Sequence, residues 1–106
     1  MVAPLALYLM NNSMVLELAE HFAARVIREV DSDASKQIER VYFIALSRGP
    51  TDEELQIGLE TLGQLQADWT KQLSTNGQPD PTMVQSKSLT AYCHAIMNSA
   101  SFLFVD

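Results

Sequence analysis

Ser47-Arg48-Gly49-Pro50-Thr51-Asp52-Glu53-Glu54 is the stretch on which the fold turns, because each residue has a place in a helix stop followed by a helix start. Gly49 suits a left-handed C-terminal cap, and Pro50 forbids continuation. Thr51 is placed to accept from the backbone amide of Glu54 while the Glu54 side chain returns the bond, a capping box, with Pro50 and Leu55 in hydrophobic-staple positions. Asp52 and Glu53 favour the positive end of the helix dipole. The helix that follows carries the stripe Leu55, Leu59, Leu62, Leu65 or Gln66, Trp69 and Leu73, about five turns long. Gly58 and Gly63 either weaken this helix or admit a close neighbour.

Upstream, Val15, Leu18, Phe22, Val26 and Val30 recur at intervals of three and four, with Glu17, Glu20, Arg25, Arg28 and Glu29 on other faces, which predicts an amphipathic helix over 14–30. Asp31-Ser32-Asp33 supplies candidate N-caps for a further helix over 34–47, whose apolar residues are Ile38, Val41, Tyr42, Ala45 and Leu46. Before these, Pro4 and the apolar residues Leu5, Leu7, Tyr8, Leu9 and Met10 predict a short first helix ending at Asn11-Asn12-Ser13. Its apolar residues cover more than one face, so it must pack under the later helices or against something beyond this chain. Downstream, Ser74 to Pro81 is a loop of turn-forming composition. Thr82 with Gln85 are candidate caps for a last long helix whose stripe is Leu89, Tyr92, Cys93, Ile96 and Met97. Asn98 to Ser101 loosens that period, and Phe102-Leu103-Phe104-Val105 is expected to dock onto the bundle. No window alternates with period two. The expected architecture is all-α, a compact bundle of four main helices plus the short N-terminal helix, in one domain over 1–106.

The chain of 106 residues is 47% hydrophobic and 19% charged, the profile of a globular domain. At this length a core forms without a disulfide or metal staple. Seven Lys and Arg against thirteen Asp and Glu give a net charge of -6, which disfavours nucleic acid and anionic membranes as partners. The opening apolar run Val2 to Met10 lacks a preceding basic residue and is far short of the roughly 20 residues that span a bilayer. Neither a targeting signal nor a membrane span is read from this chain.

No residues have the spacing of a catalytic motif, and no catalytic, cofactor-binding or metal-binding residue is assigned. Glu17 and His21 stand four apart on a helix, but a catalytic zinc site needs three protein ligands, so they read as a surface pair. Cys93 and His94 are adjacent, so their side chains diverge by about 100 degrees on a helix and make a poor nucleophilic pair. Cys93 reads as core. With one cysteine the chain cannot supply the Cys-x-x-Cys-His of covalent haem attachment. Met10, Met14 and Met97 read as core filling. Asp52-Glu53-Glu54 reads as helix capping rather than a cation site.

Three stretches together resemble a known family. They are Pro4 to Glu17, then Ile38 to Leu55 with Tyr42, Ala45-Leu46, Arg48 and Pro50-Thr51-x-x-Glu54-Leu55, and finally Tyr92 to Asp106 with Cys93-His94-Ala95 and Asn98-Ser99-x-x-Phe102-Leu103-x-Val105-Asp106. The chain is similar to the C-terminal part of the domain of unknown function that ends large planctomycete-type proteins, many of which carry a cytochrome-c-like haem domain nearer the N-terminus. It departs from the family's usual pattern at Ser47-Arg48-Gly49 and at Ala100-Ser101. The resemblance implies that the chain is a C-terminal fragment of a larger extracytoplasmic protein, periplasmic or at the cell surface. It implies no cofactor in this chain, with haem c elsewhere in the parent.

The function expected is a non-catalytic helical module that packs against the remainder of the parent polypeptide or self-associates. Leu5, Tyr8, Leu9, Phe102 and Phe104 are the expected interaction residues, with Arg48 and His94 as polar handles. The alternative is a small-molecule or redox accessory domain with a pocket lined by Tyr8, Phe22, Tyr42, Trp69 and Tyr92, and His21 or His94 as polar group.

Overall fold

A computed structural model describes residues 13–74 and 77–105, with side chains described through Ser99. These residues form helices α1 (Ser13–Val30), α2 (Ala34–Leu46), α3 (Asp52–Leu73) and α4 (Pro81–Val105), an all-α bundle as the periodicity predicts. The expected short helix before Ser13 lies outside the described residues. No described helix is long and apolar enough to cross a membrane.

The junctions follow from local chemistry. Asp33 caps α2 by accepting from the Lys36 amide at 3.2 Å. Thr51 and Glu54 form the complete capping box at the start of α3, with Glu54 N to Thr51 Oγ1 at 3.1 Å and Thr51 N to Glu54 Oε1 at 2.9 Å. The left-handed cap that ends α2 falls on Ser47, at φ 59° and ψ 26°, and not on Gly49. Ser47 N–H reaches back to Phe43 O at 3.0 Å, so the helix has already turned before the glycine. A non-glycine residue accepts that backbone at a cost of about 1–2 kcal/mol, which the cap bond and the packing around it offset. Asp31 is left-handed too, at φ 60°, and closes α1 rather than opening α2. Its carbonyl accepts from Nε2 of buried Gln37 at 2.6 Å, tying the first turn of α2 to the end of α1.

The start of α4 also departs from expectation. Asp80, not Thr82, is the cap: its Oδ1 accepts from the Thr82 amide at 2.9 Å and its carbonyl from Val84 N at 3.0 Å. Pro81 then occupies the first helical position, where its missing N–H costs nothing. The helix does not loosen at Asn98 to Ser101 but runs on to Val105.

Helix α4 packs against all three others and is the axis of the bundle. Leu89, Tyr92 and Cys93 are buried on it, as the stripe predicts, and so are Val84, Ser88 and Thr90. Ser88 satisfies its hydroxyl by donating to Val84 O at 2.6 Å, which lets a polar residue sit in the centre. On α1 the buried seam is Ala19, Ala23 and Val26, while Leu18 of the predicted stripe is 52% exposed. Those residues stand at i, i+4 and i+7, a true helical face, but the alanines carry too little apolar weight to reveal it against Leu18. Ile38, Val41 and Tyr42 of α2 and Leu62 of α3 complete the core. Met97 packs against it as expected, whereas Met14 is 66% exposed.

Gly58 marks a close approach of α3 to its neighbours. A Cβ there would stand 2.8 Å from Tyr92 Oη and 3.1 Å from Ile38 Cγ2, whereas one on Gly63 would meet nothing within 4 Å. Both glycines weaken α3 by up to about 1 kcal/mol relative to alanine, but only Gly58 returns that as a contact. Gly63→Ala is expected to raise stability by about 0.5–1 kcal/mol, and Gly58→Ala to lower it by about 1–2 kcal/mol as buried Tyr92 is displaced. Urea unfolding of the two variants checks this, and equal shifts of one sign would contradict the close approach.

Candidate functional site

Two features of the bundle carry polar chemistry. The first is a groove of about 270 Å³ between α1, α3 and α4. Leu16 and Glu20 form the α1 wall, Trp69 the α3 wall, and Lys87, Thr90 and His94 the α4 side. The Lys87 ammonium lies over the Trp69 indole, 5.7 Å from the ring centroid, a cation–π arrangement worth about 0.5–1 kcal/mol at an exposed site. His94 Nε2 is buried and makes no hydrogen bond among the described residues, and Asn98 Oδ1, one turn further along α4, is in the same state. Buried polar atoms of this kind are infrequent in folded proteins. A larger open basin of about 610 Å³ is lined by Ser32, Gln66, Thr70, Gln78, Pro79 and Gln85 among others. None of its lining residues is titratable, whereas the groove brings ionisable groups against an aromatic face.

The second feature joins the α2–α3 turn to the core. The Arg48 guanidinium binds Glu54 through two bonds, at 2.8 and 3.0 Å, and donates to Gly49 O at 2.9 Å. It also stands over the Tyr42 ring, 5.6 Å from its centroid. Such fork-to-carboxylate pairing is the strong form of the ion pair. Arg48 chiefly, and then the Thr51 backbone, hold the Glu54 carboxyl down to about 2. The Tyr42 and Tyr92 hydroxyls interact through a side-chain hydrogen bond, and burial is the main reason both titrate above the ordinary tyrosine range. Burial likewise pushes the Cys93 thiol up to about 12, so it stays protonated and unreactive, a core residue as its position predicts.

The residues singled out in the sequence are therefore dispersed. His94 stands in the groove, while Arg48 is committed to Glu54 and Tyr42 and acts as a structural tie. Tyr42 and Tyr92 are core residues, Phe22 packs against the core from α1, and Trp69 lines the groove, so these aromatics do not share one pocket. Glu17 and His21 are both exposed, as expected of a surface pair. Leu5, Tyr8 and Leu9 lie outside the described residues. Phe102 and Phe104 are on the final turns of α4, where side chains are not described. Among the described residues no three His, Cys, Asp or Glu side chains are grouped to hold a metal ion. Lys87, Glu20 and Leu16 were not singled out, because nothing in the spacing links Trp69 to Lys87 across the α3–α4 loop.

A family model described as PSD1, "Protein of unknown function (DUF1553)", matches residues 1–62 of the 106. The chain belongs to this family. The matched span takes in α1, α2 and α3 as far as Leu62, and with them the capping box, the Arg48 tie and Gly58. Of the groove residues, Leu16 and Glu20 fall within it, and Trp69, Lys87, Thr90 and His94 fall beyond it. No curated protein and no solved structure matches the chain.

The Arg48–Glu54 tie has a definite pH signature. A carboxyl whose value drops from 4.5 to about 2 on folding contributes stability that is present above 4.5 and is lost as pH falls towards 2. Glu54→Gln keeps an acceptor for the cap but removes the charge. Urea midpoints should place the variant below the parent at pH 7, with the gap closing between pH 4.5 and pH 2. A gap that stays constant over that range would remove Arg48–Glu54 as a charge-dependent tie.

Proposed function

We propose that this chain is a non-catalytic helical module that packs against the remainder of a larger polypeptide. The observation that carries this reading is the concentration of apolar surface at the start of α1. Met14 and Leu18, one turn apart on the same face of α1, are 66% and 52% exposed, while Leu16, two positions from each, lies on the opposite side in the groove. Isolated exposed leucines need no explanation, but a cluster at one helix end fits a surface made to be covered. Towards the other end of the same helix the exposed surface is charged, and there Glu29 pairs with Arg25 at 3.0 Å and Arg40 at 2.6 Å. The chain's similarity to domains that end large cytochrome-associated proteins supports an extracytoplasmic setting, with haem c carried by another part of the parent. In that setting the occupant of the α1 surface is the parent polypeptide, and self-association is its substitute when the chain is isolated.

A second reading is favoured by the groove: its Trp69 face, the Glu20 and Lys87 charges that form no ion pair among the described residues and the buried His94 nitrogen suit a small-molecule accessory site.

The module reading is tested by light scattering of the isolated chain over a range of concentrations. Self-association is expected, and Leu18→Glu should abolish it without changing helix content by circular dichroism. A chain that stays monomeric at every concentration, with Leu18→Glu indistinguishable from it, would end this reading.

A further inference from the structure

The groove between α1, α3 and α4 holds two opposite charges that do not neutralise one another. Glu20 stands on the α1 wall and Lys87 on α4. Among the described residues neither joins a salt bridge, since the ion pairs formed there are Arg25–Glu29, Arg40–Glu29 and Arg48–Glu54. The Trp69 indole, the aliphatic groups of Leu16 and Ala91 and the His94 ring line the same groove. The His94 nitrogen that no described residue partners leaves hydrogen-bonding capacity unused.

Charge complementarity selects the class of occupant. An anion alone would meet Lys87 but be repelled by Glu20, and a cation alone would meet Glu20 but be repelled by Lys87. A neutral apolar molecule would strip water from both charges without replacing it, which is costly. A molecule bearing both charges and an apolar body uses every wall. The volume of about 270 Å³ lies just below the range of about 300–1,000 Å³ usual for drug-sized ligands, which suits one small molecule and excludes a large cofactor. We infer that the groove binds a single zwitterionic α-amino acid with an apolar side chain, its ammonium against Glu20, its carboxylate against Lys87 and its side chain on Trp69 and Leu16. This rests on the small-molecule reading of the groove and adds the ligand's chemistry.

The test is NMR titration of the full chain with L-phenylalanine and L-leucine, beside phenethylamine, 3-phenylpropionate and the neutral N-acetylphenylalanine amide. At least one amino acid is expected to shift the Trp69 indole N–H and the Glu20 and Lys87 amides saturably. Loss of either ligand charge should weaken binding by about tenfold or more. Glu20→Gln and Lys87→Met should weaken the amino acid by a similar factor; exposed Glu20→Gln should leave the thermal midpoint unmoved, whereas Lys87→Met should lower it slightly by taking the ammonium off the Trp69 ring. Saturable binding that neither substitution alters would overturn the assignment. Binding of the neutral amide as tight as that of L-phenylalanine would overturn zwitterion recognition while leaving the groove a small-molecule site. Absence of saturable shifts with every probe would remove both.

Discussion

Tyr92 and Ile38 meet over the bare backbone of Gly58, and this contact of α4, α2 and α3 sets the depth to which the bundle closes. A side chain on α3 at that point would hold the helices apart by the width of a methyl group. Because Tyr92 is tied to Tyr42, and Tyr42 lies under Arg48, the contact is continuous with the turn that links α2 to α3. Arg48 in turn grips Glu54, whose carboxylate also caps the first turn of α3. Backbone geometry, helix capping and core packing thus share one set of residues, and neighbours in such a set are expected to couple rather than act additively.

The rest of the bundle is arranged around α4. Its sides are buried by different means: small residues of α1 allow close approach along Ala19 and Ala23, while α2 supplies branched chains and an aromatic ring. A central helix buried on several sides leaves only a strip facing the groove, where His94 and Lys87 lie next to buried Thr90. Polar groups there are a consequence of position, since among the described residues no further helix lies over this strip. The apolar start of α1 is the complementary case, with hydrophobic side chains where solvent stands.

Membership of a family of unknown function places the chain among related sequences without assigning chemistry to it. The matched span contains the capping box, Arg48 and Gly58, all of which are explained by folding. A residue that caps, ties or clears a path for a neighbouring helix is constrained by stability alone. The groove, most of whose polar residues lie beyond that span, is the better place to look for what differs in this protein.

The sequence by itself determined the helical class, the break at Ser47 to Thr51, the capping box and the burial of Cys93. These rest on interactions between residues three or four apart, whose geometry the helix dictates. It misplaced the left-handed cap by two residues, assigned the start of α4 to Thr82 instead of Asp80, and ranked Leu18 above Ala19 and Ala23. Each error has the same origin: residue type indicates what a position tolerates, but neighbouring backbone and helices decide which of several tolerant positions is used. Only the tertiary structure decided that Gly58 is a contact and Gly63 is not, that Arg48 is a tie and not a free handle, and that Trp69, Lys87, Glu20 and His94 share one groove. Those residues come from three helices, and no periodicity along a chain encodes which of their faces will meet.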